Sequence, residues 1–484
     1  MEVKRSNIVL SPNNKRVLFR PFEPDDKGRI LKIVARIMEL SDEEVDRRVG
    51  EVLREFHSRH QRLKQFFLRR FEAVRPFLLT DRELPENRRM LIGSYFTQEY
   101  ALEATALFNP SIVWHYDQSN VPPGAKRFIM SLRSTGEGHV SSIGFRSGIV
   151  HADGSVEIDP ASRYVTAPDV VPNALYEKKL FQQKLLELGI ANGFVELVLA
   201  ILDDHFTLAE LERAIQFVLR QHRVHHSEWE GLAKSVVSLA KANYEIQHEP
   251  ETDISERVIF PYAPTELNGI EDARFVLFTE DDGTRTYYAT YTAFDGNVTF
   301  PHILETNDFL RFRIATLNGP EAKNKGMALF PRRINGLYAM LSRQDGENLY
   351  LMYSDMLHFW YTKEIVAKPT YPWEYVQIGN CGSPIETEHG WLVLTHGVGP
   401  MRKYSIGALL LDLENPRRVI GRLKQPLLAP IESEREGYVP NVVYSCGGLV
   451  HNGKLILPYA VSDYATTFAT VELDELIAAL KNGG

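Results

Sequence analysis

Cysteine is scarce in this chain: two among 484 residues, Cys381 and Cys446. A disulfide-stapled secreted scaffold carries more, so a reducing compartment, and hence a cytoplasmic protein, is expected. Long apolar runs are also missing. No stretch approaches the roughly 20 apolar residues of a membrane span. The N-terminal MEVKRSNIVLSPNNKRVLF has basic residues but no apolar signal core. Nor is there a basic excess: 55 Lys and Arg face 63 Asp and Glu, for a net charge of -8. Nucleic acid is thereby disfavoured as the main partner, while a local basic pocket for a small anion stays open. Glycine-bearing segments lack the strand-GxGxxG-helix or P-loop order, so no nucleotide cofactor is expected, and no metal motif is present.

What the chain does have is 44% apolar and 11% aromatic residues, enough for one large core or several smaller ones. Residues 24–79 read as helix: DKGRILKIVARIMEL, a capping box from Ser41 to Glu44, then a stripe of Val45, Val49, Val52, Leu53 and Phe56 at three- and four-residue spacing. From about Met90 strands are expected, with FNPSIVWHY, KRFIMSLRS and HVSSIGFRSGIVHADGSVEI in one antiparallel sheet. Residues 174–244 return to helix, with Thr207 and Glu210 as a second capping box. His222, His225 and His226 fall there at helical spacing. Without an accompanying carboxylate or cysteine motif they read as a polar helix end.

Residues 257–473 are strand and turn, with Asp-Gly or Asn-Gly turns at 282, 335, 345 and 452. YYATYTAFDG, NLYLMYSD and LILPYAVSD each set an aromatic strand before an acidic turn, as blades of a propeller would, their ends converging on a central pocket. The expected divisions are 1–85 (N-terminal strand and helices), 86–172 (first propeller part), 173–248 (helical insertion) and 249–484 (remaining propeller and C-terminal helix).

The stretch TELNGIEDAR, residues 265–274, concentrates charge at the mouth of a strand. Strand alternation predicts that only one of Glu271 and Asp272 enters a given pocket, and that Arg274 shares the face of Asp272.

Together with NKGMALFPRRINGLYAMLSR, IGNCGSPIETEHGWLVLTHGV, YSIGALLLDLENPRRVIGR, EREGYVPNVVYSCG and YAVSD, this stretch resembles glycoside hydrolase family 130. The resemblance implies a mainly β fold, a five-bladed β-propeller, here with added N-terminal helices and an inserted helical unit. It implies inverting phosphorolysis of β-mannosides, with β-1,2-linked manno-oligosaccharides the expected substrates and α-mannose 1-phosphate the product. Asp272 would be the general acid, acting through the 3-hydroxyl of the mannose. Arg343 and His396 would bind phosphate, the co-substrate, and no cofactor would be needed. Arg133 and Asp463 would bond sugar hydroxyls, and Lys325 matches a basic residue near the same sugar. Asn109, Arg274 and Asn324 complete the expected substrate site.

Departures from the family pattern qualify this. Ala273 replaces proline after the acid, and Gln377 stands where many phosphorylases place a lysine. Gln brings no charge, so Arg402 and Lys403 are considered as substitute cations for phosphate. Arg332 and Arg333 are divided between site and turn roles. Tyr291 and Tyr338 read as blade packing, His302 and His389 as packing or surface histidines. An inverting hydrolase, the alternative, would need a second carboxylate roughly 6.5–9.5 Å from the acid, for which Glu434, Glu436 and Asp463 are the candidates. A non-catalytic carbohydrate-binding propeller is the third reading. The apolar helix faces suggest a homo-oligomer.

Overall fold

β-Branched and aromatic runs punctuated by tight turns make this chain mainly β. The computed structural model describes residues 1–172, 174–222 and 226–483. Two turns expected from Asn-Gly pairs form tight hairpins. Asn335 and Gly336 connect Ile334 to Leu337, Asn452 and Gly453 connect His451 to Lys454, and all four turn residues have positive φ. Such turns match the twist of the strands they join. Inner strands read as unbroken apolar runs because both faces are covered: every residue of Gly390–Val398 is buried.

Among the described residues, five antiparallel sheets have four or more strands. The first is built on Ala106–Trp114, Lys126–Thr135 and Ser141–Val150, three of the segments expected to share a sheet. The second begins with Ile270–Thr279 and Arg285–Phe294, the third with Ala328–Leu329 and Tyr338–Ser342, the fourth with Gln377–Asn380 and Gly390–Val398. The fifth holds Val443–Tyr444, Lys454–Val461 and Ala465–Glu472, and its edge is completed by the N-terminal strand Val3–Arg5. Each sheet packs on the next, and the fifth packs back on the first through Lys454–Val461 against Ala106–Trp114. A separate apolar cluster fills each junction. Phe145 and Phe275 lie between the first and second sheets, Phe278 and Met340 between the second and third, Leu341 and Trp391 between the third and fourth. Leu394 and Leu457 join the fourth to the fifth, Phe128 and Phe468 the fifth to the first.

Helices add two further clusters. Lys27–Met38, Asp42–Phe56, Leu63–Val74 and Glu86–Tyr95 form one, in which Val45 and Val49 are buried as their spacing requires, with Val52, Leu53 and Phe56 packed beside them. Strand therefore starts at Thr97, not near Met90: Met90 is buried in a helix that packs on the two before it. Ser41 caps its helix, but Glu44 turns away to Arg47 and Arg48, so only half of that box forms. At Thr207 and Glu210 both halves form. The second cluster gathers Lys178–Glu187, Gly193–Ile201, Leu208–Gln221 and His226–Lys241. In it the His222 ring lies 5.4 Å from that of Trp229. His225 and the side chain of His226 lie outside the described residues.

Candidate functional site

Two β-bulges face one another across the first and second sheets. Register shifts occur between Phe108 and Ser111 and between Glu271 and Arg274. A bulge re-aims side chains that a regular strand would send to opposite faces. Asn109 and Asp272 both take positive φ here, 49° and 56°. Asparagine and aspartate tolerate that conformation better than other side chains. The alternation expected for Glu271 and Asp272 is thereby broken, and both carboxylates meet Arg133. Its Nη2 donates to Glu271 Oε1 at 2.9 Å and its Nη1 to Asp272 Oδ1 at 3.4 Å, while Nε holds Ser141. Asn109 donates to the same Asp272 oxygen at 2.7 Å. Lys325 Nζ takes the other oxygen of Glu271 at 2.9 Å.

Arg274 also departs from expectation. Its Nη1 donates to the backbone carbonyl of Asp272 rather than to the carboxylate, and its Nη2 donates to Tyr444 Oη at 2.8 Å. Only 2% of the residue is exposed. Burial opposes its charge, but Tyr444, Cys446 and Asp272 more than offset this and hold it firmly protonated. Burial likewise raises Asp272, yet Arg133 and Arg274, with the Asn109 hydrogen bond and Lys325, bring it below the usual carboxylate range. Asp463, also at positive φ, is pushed the other way, to about 6, by burial and by the negative charge of Asp272.

A second group lies behind these acids. Arg343 runs along Gly326 and Gly379, where an added Cβ would meet its side chain at 2.9 and 3.1 Å. With the Gln377 amide turned to face its donors, its oxygen accepts from Arg343 and from His396 Nε2, and its nitrogen donates to Gly346. His396 is wholly buried, and burial together with Arg343 and Arg274 keeps its imidazole neutral. It meets the group as a hydrogen-bonding ring held by Gln377, not as a cation. Among the described residues neither Arg274 nor Arg343 has a carboxylate within ion-pair distance, and the Nε of each is buried without a partner.

Other expected residues fall as follows. Asn324, at positive φ, donates to the carbonyls of Arg343 and Gln344 and so fixes the loop that presents Lys325. Arg402 bears electrostatically on Asp463, and Lys403 is exposed on the same turn. Arg332 and Arg333 are committed to Glu386 and Glu280. Tyr291 and Tyr338 bond buried or half-buried glutamates, and His302 is buried against Tyr291. Glu434 is engaged by Arg5 and Tyr459, which removes it as a free base, and Glu436 is exposed. Of the three acidic turns in the strand echo, that at Asp463 joins the site; Asp295 caps its own turn and Asp355 is exposed. Glu271 and Tyr444 were not singled out as site residues from sequence. A short polar residue able to take positive φ beside a glutamate was the available signal for the first; Tyr444 carried none beyond its motif.

A family model described as beta-1,4-mannooligosaccharide phosphorylase matches residues 209–482. The chain belongs to that family, glycoside hydrolase family 130. Among its relatives is a 1,2-beta-oligomannan phosphorylase of Thermoanaerobacter sp. (strain X514), 36% identical over 219 residues, 44% of this chain and 71% of that protein. A beta-1,2-mannobiose phosphorylase of the same organism is 35% identical over 226 residues, 44% and 70% of the two chains. Among solved structures, the beta-1,2-mannobiose phosphorylase of Listeria innocua in complex with beta-1,2-mannobiose aligns with a TM-score of 0.47 and 20% identity, covering 78% of this chain and 92% of that one.

Proposed function

We propose that this chain is an inverting phosphorylase of β-mannosides, with β-1,2-linked manno-oligosaccharides as substrates and inorganic phosphate as acceptor. The observation that carries the reading is a guanidinium left for an anion: among the described residues Arg343 has no carboxylate within ion-pair distance, and its Nε is buried without a partner. Water attacking a glycoside needs a base. Phosphate brings its own charge and needs cations with charge-assisted donors. Asp272 donates the proton, relayed through the sugar 3-hydroxyl, to the departing oxygen as the C1–O bond breaks. A phosphate oxygen bonds C1 from the opposite face, giving α-mannose 1-phosphate and a shortened chain. Arg343 holds the phosphate, Gln377 holds Arg343 and is itself held by His396, and Arg402 and Lys403 draw anions toward the mouth. Asn109, Arg133, Arg274, Lys325 and Asp463 form the sugar site, and Asn324, expected there, instead fixes the loop that presents Lys325.

The five sheets are the blades of a propeller, a reading supported by their cyclic packing and by the N-terminal strand that completes the last blade. Val3–Arg5 and Tyr244–Gln247 pair into the sheets, whereas the helices between Lys27 and Tyr95 and those between Lys178 and Lys241 are units added to the ring. The exposed Leu186, Leu188, Leu197, Ile201 and Phe217 on the second of these are the faces through which copies associate.

Incubation with β-1,2-mannotriose, with and without phosphate, tests the activity. Mannose 1-phosphate that appears only with phosphate is the expected result. Free mannose at a rate indifferent to phosphate would overturn it.

A further inference from the structure

Glu271 touches both cations that would otherwise close on the catalytic acid. Arg133 makes its shorter bond, 2.9 Å, to Glu271 and its longer, 3.4 Å, to Asp272. Lys325 also settles on Glu271, 2.9 Å from the oxygen that Arg133 leaves free. Both hydrogen bonds to the Asp272 carboxylate fall on Oδ1, and among the described residues Oδ2 has no donor. An acid held by a bidentate arginine and a lysine would be a permanent carboxylate. We propose that Glu271 is a positioning residue: by drawing Arg133 and Lys325 onto its own two oxygens, it limits how far these cations lower the proton affinity of Asp272. The inference rests on Asp272 being the general acid of the reaction proposed above.

The groups around Asp272 define the balance. Arg133 faces it from the first sheet, Arg274 from its own strand, and Lys325 from the segment ahead of the third sheet. His396, which is neutral, comes from the fourth sheet, and Tyr444, Cys446 and Asp463 from the fifth. The three cations exceed the charge of Asp272 alone. Glu271 neutralises part of the excess, and its negative charge also adds to the rise in proton affinity of Asp463, which burial and Asp272 push to about 6. Asp272 and Asp463 act on one another electrostatically, so the proton they hold is lost in a step that belongs to both.

Glu271 touches neither the reacting bond nor the phosphate in this account, so its signature is a displaced pH profile. The experiment is kcat/KM against pH for wild type, Glu271→Gln and Glu271→Asp, which reports groups of the free enzyme. Glu271→Gln is expected to move the alkaline limb down by about 1 pH unit, with activity on the acid side within a few-fold of wild type. Glu271→Asp is expected to restore much of the limb. Lys325→Gln, which removes a cation instead of the acid that restrains it, is expected to move the limb upward and serves if Glu271→Gln does not fold. A uniform loss at every pH, or a limb that stays in place, overturns the proposal. Products are assayed as mannose 1-phosphate and as free mannose in parallel. A wild type that hydrolyses would sink the phosphorylase reading, while the limb shift would still be readable on free mannose.

Discussion

At Asp272 the backbone does what the side chain alone could not. A regular strand would have sent Glu271 and Asp272 to opposite faces, and the bulge with φ of 56° sends both to Arg133. Asn109, Asn324 and Asp463 share that left-handed backbone. Sparsely populated conformations gather where the surroundings over-determine them, as here where bulges oppose each other. Asp272→Asn is therefore expected to fold as wild type does, since Asn keeps the shape and tolerates positive φ. It is also expected to lose about 10²–10⁴-fold in turnover with the general acid gone. Circular dichroism with a mannose 1-phosphate assay checks both halves; an active variant would remove Asp272 from the chemistry. That Asp272 gathers with Arg133, and Gln377 with Arg343 and His396, was legible in the sequence because these residues sit in motifs. The pairing of Glu271 with Lys325 was not, because a bulge depends on the strand opposite it as much as on its own residues.

Among elements, the inserted helix Lys178–Glu187 is fixed to the second sheet by a lysine. Lys184 is 2% exposed and donates to Asn243 Oδ1 and to the Thr316 carbonyl, with burial lowering its amine to about 7. An unfolded lysine holds its proton up to about 10.5, so between these values the unfolded chain binds more protons than the folded one. Stability from this group accordingly rises with pH across that window and is withheld below it. Urea titrations from pH 7 to 10 are expected to show that rise in wild type and to lack it in Lys184→Met. Parallel curves for the two proteins would count against it. Local sequence was a good guide to elements of this kind where one motif decides the outcome. Thr207 and Glu210 capped a helix as expected, and the Asn-Gly pairs made hairpins. It misjudged residues 86–95, whose helix owes much to packing on the helices before it.

For the whole molecule, strand and turn spacing indicated a mainly β chain, whereas the cyclic packing of the sheets involves partners far apart in sequence. No helix among the described residues is long and apolar enough to cross a membrane. Exposed Leu197 and Ile201, one turn apart on Gly193–Ile201, join Phe217 on the neighbouring helix to leave apolar side chains facing solvent. Light scattering at micromolar concentration is expected to return a mass above the 55.2 kDa of one chain. Replacing Leu197 and Phe217 by glutamate is expected to lower it to that value. A single-chain mass for the unaltered protein would refute association through this face.

The strand Val3–Arg5 is made before its partner, Ala465–Glu472, and must wait about 460 residues for it. Until residues 463–472 are made, the fifth sheet cannot take up Val3–Arg5, and Asp463 has yet to reach Asp272. A chain interrupted before residue 463 would carry Asp272 and its cations but neither Asp463 nor the strand that pairs with Val3–Arg5. Truncated nascent chains should therefore be inactive, however well their earlier sheets have folded.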